Sequence, residues 1–123
     1  MNPITATRHN LAEILETLPE IRSRTTPPEI ITPPLAVIDI GTITPSERYD
    51  HLIITFGIDL ITPLRSDFEA IQAELDGYAY EAAVALLNDG LEIEQISQPF
   101  NVQDAEGSIF PALTLTVTQE IAL

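Results

Sequence analysis

Four Thr-Pro steps, at Thr26-Pro27, Thr32-Pro33, Thr44-Pro45 and Thr62-Pro63, cut the first half of this chain into short lengths. Proline fixes φ, lacks an N–H and pushes the preceding residue toward extended geometry. Each step therefore marks an element boundary or an edge-strand position, never a sheet interior. The repeated TPP is too short to be a structural repeat. Between the steps, residues 35–40 (LAVIDI) read as a near-continuous apolar strand. In residues 52–61, Leu52, Ile54, Phe56, Ile58 and Leu60 share one face at period two. The opposite face, Ile53, Thr55, Gly57, Asp59 and Ile61, is mixed, as expected of a side only partly covered.

Helical spacing brackets these strands. Leu11, Ile14, Leu15 and Leu18 fall on one face of a short helix, with Thr7 or Asn10 as its N-cap and Pro19 as its end. So short a helix is marginal alone in water and must lean on something larger. Ser66-Asp67-Phe68-Glu69 reads as a capping box with Ser66 as the cap, opening a helix that runs to Asn88 and closes at Asp89-Gly90. That helix carries two stripes. Phe68, Ile71, Leu75, Ala79, Ala82 and Leu86 form a core face, while Ala70, Ala73, Gly77, Tyr80 and Val84 recur on the opposite side. A helix on a sheet ordinarily shows water a polar back. The second stripe therefore predicts packing by the first helix or by a neighbouring subunit, with Ala73 and Gly77 at a close contact; the remaining reading is a stripe of ordinary exposed alanines.

The chain ends in an expected hairpin, residues 91–102 and 108–121 flanking Asp104-Ala105-Glu106-Gly107. Leu113, Leu115 and Val117 alternate there with Thr114, Thr116 and Thr118. The expected fold is a single α+β domain over residues 1–123, in the order α-β-β-β-α-β-β. Its mainly antiparallel sheet has four or five strands, with two helices packed on it.

Composition narrows the function classes. The 19 acids outnumber five arginines (Arg8, Arg22, Arg24, Arg48 and Arg65), lysine is absent, and the formal charge is −14. Gripping nucleic acid or an anionic membrane takes clustered cations, so neither is an expected partner. Where acidic patches meet another subunit they need countercharge, and Arg48 in SERYD is the expected intersubunit pair. The absence of cysteine removes disulfides, thiol nucleophiles and cysteine zinc sites together. The N-terminal MNPITATRHNLAEIL does not read as a signal peptide, and the apolar stretch 52–61 is too short to span a bilayer.

Chemistry is sparse in the sequence. His9 and His51 lie in no metal-ligand spacing, and His51 beside Asp50 and Glu47 reads as a solvated loop histidine before it reads as an oriented base. Asp39, Asp50 and Asp59 lack the spacing of a calcium loop. Phosphate-cradling glycine loops and a nucleophile elbow are missing as well. No catalytic residue, cofactor or metal is expected.

The N-terminal amphipathic helix, the IRSR strand, PPEIITPPLAVIDI, LIITFGIDLIT, FEAIQAELDGYAYEAAVALLND and the final hairpin together resemble the tail terminator (tail completion) proteins of long-tailed bacteriophages. The resemblance rests on element order and on the prolines before the second strand. It implies a hexameric ring that caps the completed tail tube and presents the surface joining the head. The implied partners are copies of the same chain, the tail tube protein and neck or connector proteins. The implied location is the head-proximal end of the virion tail, assembled in the bacterial host cytoplasm. Where that family works through surfaces, Ala73, Gly77, Tyr80, Val84 and Arg48 become the expected interface residues. The chain departs from the family in economy, with only about ten residues linking LAVIDI to LIITFG. Two alternatives stay open: another head-to-tail joining protein, or a small ligand-binding or enzymatic α+β domain with its pocket between sheet and helix.

Overall fold

A computed structural model describes residues 2–18, 21–26 and 28–123. Pro19, the expected helix end, and Pro27 of the first Thr-Pro step lie outside the described residues. Eight elements follow in order: α1 (Pro3–Glu16), β1 (Arg22–Arg24), β2 (Leu35–Pro45), β3 (His51–Ile61), α2 (Phe68–Asn88), β4 (Glu92–Ile96), β5 (Phe100–Gln103) and β6 (Ile109–Ala122). The strands make one sheet, β1-β2-β3-β6-β4, in which β5 also pairs with β6.

The α+β class holds, and two details are corrected. The sheet has six strands because the first arm of the C-terminal hairpin is interrupted at residues 97–99, leaving β4 and β5 as separate partners of β6. It is mixed because β1 pairs with β2 in parallel, whereas every other pairing is antiparallel. A three-residue strand ahead of a proline-rich stretch gives no sequence signal for its pairing sense.

Both helices lie on one face of the sheet. Leu11 and Leu15 of α1, and Leu75, Ala79, Ala82 and Leu86 of α2, close over Ala36, Ile38, Ile54, Phe56, Ile58, Leu60, Leu113, Leu115 and Val117. Burying each large apolar side chain contributes about 1.5–3 kcal/mol, which is what holds the otherwise marginal α1 in place. The other face carries a smaller cluster of Leu35, Val37, Ile61 and Ala112. The segment at 28–34 lies over that cluster, tied to the β5–β6 turn by Ala105 N–H donating to the Glu29 carbonyl at 2.9 Å and Ile31 N–H donating to Asp104 Oδ2 at 3.3 Å.

Two β-bulges keep isoleucines on the helix side. Ile40 pairs with Phe56 and Thr42 with Thr55, so Gly41 is the extra residue and Ile43, opposite Ile54, returns to the helix side where regular pairing would put Thr42. A Cβ at Gly41 would stand 3.4 Å from the Thr55 carbonyl, close to ordinary van der Waals contact. In β4, Ile93 pairs with Val117 and Gln95 with Thr116. The extra Glu94 thus brings Ile96 opposite Leu115. Spacings of three, Ile40–Ile43 and Ile93–Ile96, become same-face spacings only because of the bulges.

The expected strand 35–40 therefore runs on to Pro45, and the expected linker is the far half of a β2–β3 hairpin whose tip is residues 46–50. Thr44-Pro45 ends β2 where no strand lies on its outer side, as a proline step requires. The helix caps are also corrected. Asn2 caps α1, its Oδ1 accepting from Thr5 N–H at 2.9 Å with Pro3 in the first turn. Thr7 and Asn10 lie inside that helix, and the Thr7 hydroxyl donates to the Pro3 carbonyl. Asp67 caps α2, its Oδ1 accepting from Glu69 N–H at 3.0 Å, which displaces Ser66 by one position. The C-terminus of α2 falls where expected. Leu91 N–H bonds the Leu86 carbonyl, Gly90 N–H bonds that of Leu87, and Gly90 takes the left-handed φ of 87° that this closure needs.

Candidate functional site

The outward side of α2 is the feature of the sequence that most needs a partner, and the chain covers it only in part. Leu75, Ala79, Ala82 and Leu86 are buried as expected, whereas Phe68, expected on the core face, is 76% exposed. It sits in the first turn of α2, beside Pro99 of the β4–β5 connection and Phe100 at the start of β5. With Leu64, Ile71, Phe100 and Pro111 it lines an apolar groove of about 530 Å³. Periodicity placed Phe68 on the right azimuth. It carries no information on whether another element extends far enough to cover it.

The second stripe stays outside. Ala73, Gly77, Tyr80 and Val84 are all exposed, Tyr80 at 72%. Among the described residues a Cβ built at Gly77 meets no heavy atom within 4 Å and Ala73 is exposed, so the expected close contact is not made there. Ile14 of α1 and Leu18 just after it face Tyr80, Val84 and Ala85 toward the C-terminal half of α2 across a groove of about 630 Å³, and Asn10 Nδ2 donates to Asp89 Oδ2 at 3.3 Å. The helix layer thus leaves two separate apolar groups open to solvent, Leu64 and Phe68 around the start of α2 and Tyr80, Val84 and Leu87 toward its end.

Arg48 lies at the hairpin tip. Its Nη1 is 3.5 Å from Glu120 Oε2 near the end of β6, and Ser46 donates its hydroxyl to the other oxygen of the same carboxylate. Within the chain, then, the partner of Arg48 is intramolecular. With the Arg48 side chain 73% exposed, this pair contributes little stability. Tyr49 projects beside it, and Asp50 turns the chain at φ 58°.

The acids weighed as a calcium site do not converge. Asp39 and Asp59 lie on neighbouring strands on the face away from the helices, while Asp50 is at the hairpin tip. Among the described residues no group of three His, Cys, Asp or Glu side chains is placed to hold a metal ion. Asp59 is part-buried, and its Oδ1 accepts from the Thr114 hydroxyl at 2.6 Å. Burial raises its carboxyl above the ordinary range, the Thr114 hydrogen bond opposes that rise, and the negative charge of Asp39 adds to it. His51 Nδ1 lies 2.8 Å from the Tyr49 carbonyl, which can only accept, so that nitrogen carries the proton. His9 is exposed on α1. Among the described residues no helix is long and apolar enough to cross a membrane.

Sequence reasoning missed the Leu64–Phe68–Phe100 groove, although PLR before the helix and QPF after β4 each place an apolar residue beside a chain-turning proline. No protein-family model matches the chain, and no curated protein matches it significantly.

Proposed function

We propose that this protein is a structural component of a long-tailed phage virion, forming a ring that caps the tail tube at its head-proximal end and joins tail to head. The observation that carries the reading is the outward side of α2, where Ala73, Gly77, Tyr80 and Val84 remain uncovered although their pattern is that of a packed face. Exposed apolar side chains such as Tyr80, Val84 and Leu87 on one helix favour a protein–protein contact there. The resemblance in element order to tail terminator proteins supplies the particular assembly: a homo-hexamer contacting the tube protein on one side and neck proteins on the other. On this reading the protein turns over no substrate and holds no cofactor, and its acidity lets DNA pass without gripping it.

Sedimentation and electron microscopy of the purified protein test the proposal. The expected result is a closed ring, in isolation or on tube ends. A phage lacking the protein should accumulate unjoined heads and tubes of abnormal length; normal infectious particles would refute the assignment. The alternative of another head-to-tail joining protein predicts the same self-association with tubes of normal length. A small ligand-binding domain using the Phe68–Phe100 groove predicts a monomer.

A further inference from the structure

The two edges of the sheet carry opposite charge. β1 forms one edge and presents Arg22 and Arg24, both exposed, on either side of buried Ser23. These arginines pair in register with Leu35 and Val37, whose side chains lie on the face away from the helices. β4 forms part of the other edge. Glu92 pairs with Thr118 on that same face, and Glu94 occupies the adjacent bulge, both exposed. Among the described residues none of these four charges has an ion-pair partner. Among the described residues the Arg24 guanidinium bonds its neighbour's main chain, Nη1 donating to the Ser23 carbonyl at 3.3 Å.

Strand directions complete the match. β1 runs with β2, and the steps β2–β3, β3–β6 and β6–β4 each reverse direction, so β1 and β4 are opposed. Two copies set side by side in the same orientation would bring β4 of one against β1 of the next as antiparallel neighbours. Their acids and arginines would then lie on one face.

We infer that the acidic β4 edge of one copy docks on the basic β1 edge of the next, continuing the sheet from subunit to subunit. Edge-to-edge contact between like strands would set Glu92 and Glu94 against themselves, or Arg22 and Arg24 against themselves, and like charges across a strand pair are unfavourable. Only the unlike pairing remains, which makes the contact head-to-tail and not two-fold. Head-to-tail contacts close into rings or run on as filaments. With β1 only three residues long, main-chain bonding is brief, and the charges set register and orientation. The inference rests on the ring reading and names the surface that builds it.

Edge reversal tests it. Arg22→Glu with Arg24→Glu should weaken self-association about tenfold or more, as should Glu92→Arg with Glu94→Arg, each replacing attraction by repulsion at two positions. The chain carrying all four substitutions should regain assembly. All are exposed, so circular-dichroism melts should match wild type. If a reversal unfolds the chain, glutamine at the same two positions removes the charge and should weaken association in the same direction. A wild-type ring untouched by either reversal overturns the edge contact and leaves the ring standing. Filaments abolished by single-edge reversal and restored by the fourfold change support the edge contact and sink the ring. A wild-type monomer at every concentration overturns both.

Discussion

Thr114 on β6 donates its hydroxyl to Asp59 on β3 at 2.6 Å, across the sheet face that neither helix covers. Burial, partly offset by that bond and reinforced by Asp39, lets the folded protein hold the Asp59 proton to higher pH than the unfolded chain does. More protons are then bound folded than unfolded, so this group lowers stability as pH rises from the ordinary carboxylate pKa through the raised folded one. Asp59→Asn keeps an acceptor for Thr114 and removes the charge. Its melting temperature should exceed that of wild type at neutral pH, and the gain should shrink as pH falls through that window. A gain that grows toward acid would contradict the assignment.

Asp104 should matter more than a turn residue usually does. Its Oδ1 accepts from the N–H groups of Glu106 and Ser108 at 3.0 Å, and its Oδ2 accepts from Ile31 N–H. One carboxylate thereby shapes the β5–β6 turn and holds the 28–34 segment over the second cluster. Asp104→Ala should cost about 1–3 kcal/mol in chemical denaturation, with faster amide exchange at Ile31 as the local signature.

The caps make a discriminating pair. Asp67→Ala removes the acceptor for Glu69 N–H and should cost about 1 kcal/mol. Ser66→Ala should stay within about 0.5 kcal/mol. Equal losses at the two positions would restore Ser66 as the cap.

Gly77 separates the isolated chain from the assembly. In open space at mid-helix, Gly77→Ala should raise monomer stability by about 0.5–1 kcal/mol. Gly77→Leu should fold equally well, yet impair self-association if a neighbouring copy packs on this stripe. Loss of folding in Gly77→Leu would mean that the chain itself covers the site.

Phenylalanine truncation reads the two sides of the helix–sheet layer. Phe56 is wholly buried, and Phe56→Ala should cost about 3–5 kcal/mol. Phe68→Ala, at an exposed site, should change monomer stability by no more than about 0.5 kcal/mol.

Patterns that repeat every two or three to four residues were legible from the chain alone. The buried face of β3, the Leu113–Leu115–Val117 row, the inner face of α2 from Leu75 to Leu86 and its Gly90 closure all follow from local spacing and backbone preference, and the structure has them where expected. What only the tertiary structure decided involves partners distant in sequence. The bulges at Gly41 and Glu94 are set by how β2 and β4 register against β3 and β6, strands distant in sequence from the bulged residues or separated from them by the chain's turns. The parallel pairing of β1 and the Arg48–Glu120 contact join segments that no local rule connects. Phe68 and Gly77 fit a core-facing and a packed pattern, yet both lie open. Periodicity sets the direction in which a side chain points, and burial depends on whether another part of the fold reaches it.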